Sequence, residues 1–155
     1  EKALADAREQ LAGFLGCGVS DIIWTSGATE SSNMVMYHYA ETLAPDAEVW
    51  VSAIEHPCVL EAARSHFGER LKTLPVTSGG TLELDVFREC LAERRPGLIA
   101  VMAANNETGV LQPWRVHNYS IGDGDIMPFQ LPYDGLFVRS VGYGDQNLRA
   151  CGVLR

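Results

Sequence analysis

The stretch TSGATESSN, residues 25–33, follows the short apolar run DIIW and sets Gly27 among the hydroxyls of Thr25, Ser26, Thr29 and Ser31. Such a composition suits a phosphate held where a strand passes into a helix. A helix N-terminus carries unpaired amides and a partial positive charge, and it holds anions for that reason. Ser26-Gly27-Ala28-Thr29 would present successive N–H groups, Thr29 would add a hydroxyl, and Gly27 would let the backbone approach closely. An ordinary Ser/Thr helix cap, with no ligand, explains the same residues. Two further polar clusters end apolar runs: Glu55-His56 after EVWVSAI, and NNETG after LIAVMAA. Read alone, His56 is equally a capping or core histidine before Pro57, and Asn105-Asn106-Glu107 is equally a polar turn.

Residues 1–114 read as helices alternating with strands. Leu4, Ala7, Leu11 and Leu15 fall at helical spacing, and Gly16 and Gly18 are stop signals. Ile22, Ile23 and Trp24 suit a short buried strand. A helix follows from about Thr29 to Leu43, closed by Pro45. EVWVSAI, 48–54, has strand composition. PCVLEAARSHFG, 57–68, opens on Pro and closes on Gly, as helices do. LKTLPV is a short strand, TSGGT a turn, and LELDVFRECLAERR an amphipathic helix stopped by Pro96-Gly97. LIAVMAA, 98–104, is an unbroken apolar run, as in a strand covered on both faces. The pattern predicts an α/β fold with a mostly parallel sheet flanked by helices. Ligands in such sheets collect at the carboxyl ends of the strands. TSGATE, EH and NNETG would all lie there, facing one crevice.

The chain has 155 residues, a hydrophobic fraction of 46% and a formal net charge of −8. It is long enough for one domain with its own core. The charge and the lack of a basic stripe argue against nucleic acid as a partner. Cys17, Cys58, Cys90 and Cys151 are scattered, with no C-x-x-C pair to signal zinc or redox chemistry. They read as free thiols in a reducing compartment, so a cytoplasmic location is expected. The charged opening EKALADAREQ does not read as a signal peptide, and no apolar run is long enough to span a membrane. Residues 116–155 differ in character, with six glycines and five aromatics and no helical period. Loops and short strands are expected there, with a hairpin turn at Asp134-Gly135. Asp123-Gly124-Asp125 reads as solvated turn, since no calcium loop with a terminal Glu follows it.

TSGATESSN, SAIEHPCVLEA (52–62) and VMAANNETGVLQPW (101–114) together resemble the cysteine desulfurases. These are a branch of the class-V aminotransferases with the fold-type-I architecture, and they use pyridoxal 5′-phosphate (PLP) to take sulfur from cysteine. The resemblance covers residues 1–114, implying part of a large PLP domain over 1–115 with a divergent Gly- and aromatic-rich tail, 116–155, packed on it. It implies that Ser26, Gly27, Ala28 and Thr29 form the phosphate segment, with Ala28 and Thr29 at the matching positions. It implies that His56 stacks on the pyridine ring and takes part in proton transfer. Asn106 is implied to meet the cofactor's phenolic oxygen, where an amide donor stabilises the phenolate.

After Arg115 the sequence departs from that family. The aspartate that pairs with the pyridine nitrogen, the Schiff-base lysine motif and the mobile cysteine loop are not recognisable. The lysines are Lys2, in the first helix, and Lys72, in a strand upstream of NNETG. Neither matches the Schiff-base position. Cys151, in RACG, shares only an Ala-Cys pair with the sulfur-accepting loop, while Cys17, Cys58 and Cys90 read as packing residues. The leading expectation is a truncated desulfurase-like protein with a residual pocket for non-covalent PLP, unable to complete the cycle alone. The alternatives are a non-catalytic oligomerisation or interaction module, and a desulfurase completed by another chain. Loss of sheet neighbours would leave an open edge, so a homodimer is expected, and a sulfur acceptor or completing protein is the further partner implied.

Overall fold

A computed structural model describes residues 2–112 and the backbone of 138–140. The elements run α1 (Lys2–Leu15), α2 (Ala28–Thr42), β1 (Val49–Ser52), α3 (Pro57–Phe67), β2 (Leu71–Leu74), α4 (Leu84–Glu93), β3 (Leu98–Ala100) and β4 (Val138–Ser140), with short 3-10 turns at Val19–Asp21 and Gly68–Arg70. The sheet order is β2-β1-β3-β4. β1 lies parallel to both neighbours, with Val49 opposite Leu71 and Leu98. β4 closes the β3 edge antiparallel, with Ala100 opposite Val138. The expected α/β sheet is therefore present, and the tail contributes a strand to it. Asp123–Asp125, Asp134-Gly135 and Cys151 lie outside the described residues.

Strand β1 is buried along its whole length because both sheet faces are covered. Its side chains alternate between two cores. Val49 and Val51, with Leu98 and Ala100, meet Met36 and Tyr39 of α2 and Val59, Ala63 and Phe67 of α3. Trp50 points the other way, into Leu74, Leu82 and Cys90, with Phe87 of α4 packed alongside. The Trp50 and Phe87 rings meet edge to face at 6.2 Å.

Two expectations fail, both for lack of a hydrogen-bonding partner. Ile22–Trp24 form no strand. The Gly18 amide donates to Asp21 Oδ2 at 2.8 Å, winding the preceding residues into a 3-10 turn. Ile23 is left 51% exposed and Trp24 38% exposed, so the segment is neither paired nor buried. The Arg8 guanidinium lies 6.0 Å from the Trp24 ring. TSGATE thus follows an extended connection. The 98–104 run joins the sheet only over Leu98–Ala100, and Ala104 forms an isolated antiparallel bridge with Leu111. Beyond it the Met102 amide donates to the Glu55 carboxylate, and the Asn105 amide to the Val110 carbonyl at 2.9 Å. Those donors leave the ladder, and the strand stops.

Candidate cofactor site

The first turn of α2 uses most of its hydroxyls on itself. Thr25 Oγ1 and Ser31 Oγ share a hydrogen bond of 2.6 Å, and both also reach the Gly27 carbonyl at 3.3 Å. Ser26 donates its amide and its hydroxyl to Glu30 Oε2, at 2.7 and 2.6 Å. These bonds hold the exposed Glu30 carboxyl below its ordinary pKa range. Gly27 is the N-cap residue and offers no side-chain cap. The first bond within the helix runs from the Ser31 amide to the Gly27 carbonyl. The amides of Ala28, Thr29 and Glu30 consequently have no helical acceptor. The Thr29 hydroxyl likewise has no partner among the described residues. Thr25, Ser26 and Ser31 thus shape the turn, as a cap would, while the Ala28 and Thr29 amides and the Thr29 hydroxyl stay unspent among the described residues.

Helix α3 places His56. Pro57 occupies its first turn, and His56 is the N-cap, its Nδ1 accepting the Cys58 amide at 3.2 Å. A capping Nδ1 must be unprotonated, so the proton of the neutral ring sits on Nε2. The imidazole is exposed and its orientation is fixed from behind. Helices α2 and α3 run side by side in the same direction. Ser32 meets Cys58 at 3.5 Å near their starts, and Tyr37 meets His66 at 5.9 Å further on. Both N-termini therefore open at the carboxyl end of β1.

The NNETG loop reaches the same edge. Asn105 is buried; its Nδ2 donates to the Ile54 carbonyl at 3.0 Å, and its Oδ1 accepts the amides of Glu107 and Thr108 at 3.0 and 2.8 Å. Gly109 closes the loop at φ 73°, a backbone region that favours glycine, and donates to the Asn105 carbonyl at 2.8 Å. Asn106 is exposed and spends no side-chain hydrogen bond on the described residues. Of the Asn pair, the first is structural and the second faces outward.

Glu55, in the Glu55-His56 cluster, has no role that the sequence assigns, yet it is central to the geometry. It is 5% exposed, and its Oε1 accepts the Ser52 hydroxyl at 2.7 Å and the Met102 amide. Burial pushes its pKa up, against the pull of those hydrogen bonds. The available signal was a carboxylate directly after the largely apolar run EVWVSAI, 48–54.

The donor set fits part of PLP: amides and a hydroxyl for a phosphate dianion, a flat imidazole for the ring, and a carboxamide for its phenolic oxygen. It does not supply a lysine. Lys72 pairs in register with Trp50, its Nζ lies 5.1 Å from that ring, and a hydrogen bond to Cys90 raises its pKa. It belongs to the α4 face of the sheet. Lys2 starts α1. Among the described residues no group of three His, Cys, Asp or Glu could hold a metal, and no helix is long and apolar enough to cross a membrane. Cys17, Cys58 and Cys90 are free thiols.

Comparison with known proteins agrees with the fold. The chain is 36% identical over 118 residues to the cysteine desulfurase IscS of Rickettsia typhi, covering 74% of this chain and 28% of that protein. It is 38% identical over 121 residues to the mitochondrial cysteine desulfurase of Arabidopsis thaliana, covering 73% and 25%. The crystal structure of a NifS-like protein from Rickettsia africae superposes with a TM-score of 0.55 at 30% identity, over 72% of this chain and 31% of that one. A second NifS-like structure gives 0.60 at 39% identity, over 70% and 30%. The chain thus spans no more than about a third of the proteins it matches. Residues 1–118 match the aminotransferase class-V family, and the chain belongs to that family.

Proposed function

We propose that this chain carries the phosphate- and ring-binding half of a cysteine desulfurase-like site and binds PLP without a covalent bond. The observation that carries this reading is that the starts of α2 and α3 and the NNETG loop all lie at the carboxyl end of the parallel strands. The Thr29 hydroxyl and the unpaired amides at the start of α2 would take the phosphate. His56, held by its cap to Cys58, would lie against the ring. Asn106, turned outward by Asn105, would donate to the phenolic oxygen. When bound, the cofactor would supply an electron sink for carbanion chemistry at cysteine. The chain's own residues would orient it, neutralise its phosphate and hold a proton at His56 Nε2.

The described residues do not complete the desulfurase cycle. Lys72 is engaged with Trp50 and Cys90, away from the edge where His56 lies. The groups for covalent attachment and sulfur acceptance would come from sequence beyond the described residues or from another chain. The test is a PLP titration of the purified chain followed by absorbance, then borohydride reduction and peptide mass mapping. Saturable binding with no reduced adduct is expected. An adduct at Lys2 or Lys72 would overturn the non-covalent reading. No binding would favour an interaction module.

The apolar exposure of α1 favours a second property, self-association. Phe14 is 76% exposed and Leu4 61% exposed on a helix with a single buried residue, Ala12. A second copy would cover them. Light scattering that returns a monomer would overturn this.

A further inference from the structure

We propose that Glu55 is the positioning residue of the site: its buried carboxylate locks the turn that carries His56 to the loop that carries Asn106. The assignment of His56 and Asn106 to a cofactor rests on the reading above, whereas the lock itself does not.

The two loops leave neighbouring parallel strands, β1 and β3, and nothing in a parallel ladder fixes how they diverge after it ends. Glu55 bridges that gap. One oxygen, Oε1, accepts the Ser52 hydroxyl from the end of β1 and the Met102 amide from the segment beyond β3. By taking that amide, Glu55 decides where β3 stops pairing and where the chain begins its turn toward Asn106. Asn105 ties the same two segments from the other side, through its Nδ2 on the Ile54 carbonyl at 3.0 Å. His56 is the next residue after Glu55, and Asn106 the next after Asn105. Each exposed group is therefore fixed by the buried polar residue before it in the chain.

Burying a carboxyl is costly, and an apolar residue would fill the space more cheaply. An apolar residue would also leave the Met102 amide without an acceptor, free to extend the strand or to stay unpaired. The lock accounts for the polar choice. It also predicts a division of labour. A flat ring needs His56 and Asn106 at one fixed separation, and an isolated phosphate at the start of α2 needs neither.

The test compares the full chain with Glu55→Ala and Glu55→Gln by two readouts. One is amide hydrogen exchange at Met102 and across residues 53–58. The other is affinity for PLP and for inorganic phosphate. Glu55→Ala is expected to lose protection at the Met102 amide and to weaken PLP binding about tenfold or more, with phosphate affinity unchanged. Glu55→Gln keeps an acceptor oxygen and is expected to restore both. Wild-type protection in Glu55→Ala would overturn the proposal, as would equal loss of PLP and phosphate affinity. If Glu55→Ala does not fold, Ser52→Ala removes one of the two donors and should shift PLP affinity the same way by less; no shift would overturn it. A wild-type chain that binds no PLP sinks the cofactor reading alone, and exchange at Met102 then decides the lock.

Discussion

Asn105 Nδ2 donates to the carbonyl oxygen of Ile54 at 3.0 Å across fifty-one residues of sequence, joining the loop after β3 to the turn after β1. The same side chain also accepts the amides of Glu107 and Thr108. Its Nδ2 also reaches Met102 Sδ at 3.3 Å, so the whole carboxamide is spent within the fold, while its neighbour Asn106 is exposed and makes no side-chain hydrogen bond to the described residues.

That division separates the pair experimentally. Asn105→Ala strips the Ile54 carbonyl and two loop amides of their partner at a buried position. A loss of about 1–3 kcal/mol in unfolding free energy is expected, read by urea denaturation. Asn106→Ala should leave stability within about 0.5 kcal/mol and act on PLP affinity instead. Equal destabilisation by both variants would remove the distinction.

Thr29 offers a similar contrast with Thr25. Thr29→Ala removes a hydroxyl with no partner among the described residues, so stability should hold while PLP and phosphate both bind about fivefold to tenfold more weakly. Thr25→Ala breaks the 2.6 Å bond to Ser31 and should destabilise the start of α2 by about 0.5–2 kcal/mol. Isothermal titration and thermal melts check the two halves.

Glu55 sets a pH dependence whose sign follows from burial. Its pKa is raised in the folded chain. The folded state therefore binds the proton more tightly than the unfolded state. The associated stability is full below the ordinary glutamate range and is lost as pH rises through the folded value. Glu55→Gln keeps an acceptor and removes the ionisation. Its melting temperature should exceed that of the wild type at neutral pH, with the gap closing below about pH 4. A gap that widens on acidification would show the opposite sign. Glu48 works the other way, because Arg94 Nη1 at 2.8 Å and the Trp50 indole N–H lower its pKa. Its contribution is present above the unfolded pKa and lost as pH falls through the lowered one.

Gln112 anchors the far end of the NNETG segment. Its Oε1 accepts the Leu82 amide at 2.8 Å and its Nε2 donates to the Gly80 carbonyl at 2.9 Å, both from a buried side chain. Gln112→Leu keeps the volume and loses both bonds. A cost of about 1–3 kcal/mol is expected in urea denaturation. PLP affinity should change less than in Glu55→Ala, since Gln112 ties the loop to the turn before α4 and not to His56.

A crowded glycine provides a control remote from the site. A Cβ on Gly97 would lie 2.7 Å from Leu43 Cδ2 and 3.2 Å from Ala47 Cβ. Leu43 can move and the Ala47 methyl cannot. Gly97→Ala should cost about 1–3 kcal/mol in urea denaturation without changing ligand affinity.

Sequence periodicity and breakers located the four α-helices of the described residues and β1 to within a few residues, because apolar spacing, Pro57, Gly68 and the Pro96-Gly97 stop act locally. The same reading also placed Glu55-His56 and NNETG at the carboxyl ends of their strands, since order along an α/β chain fixes which loops share that end; TSGATE follows no strand, and its position comes from α2 packing alongside α3. It overreached at Ile22–Trp24 and at 101–104. In both places apolar character was read as strand, and a strand exists only where another backbone accepts its hydrogen bonds. Which hydroxyl of TSGATESSN has no partner among the described residues, which Asn of the pair is exposed, and that Glu55 accepts from both Ser52 and Met102 were decided by tertiary structure. Each depends on a partner that is distant in sequence or on a backbone path the sequence leaves open. Residue types and motifs fixed the chemistry this chain could offer; the pairing of buried polar groups across strands β1 and β3 decided which atoms are left to offer it.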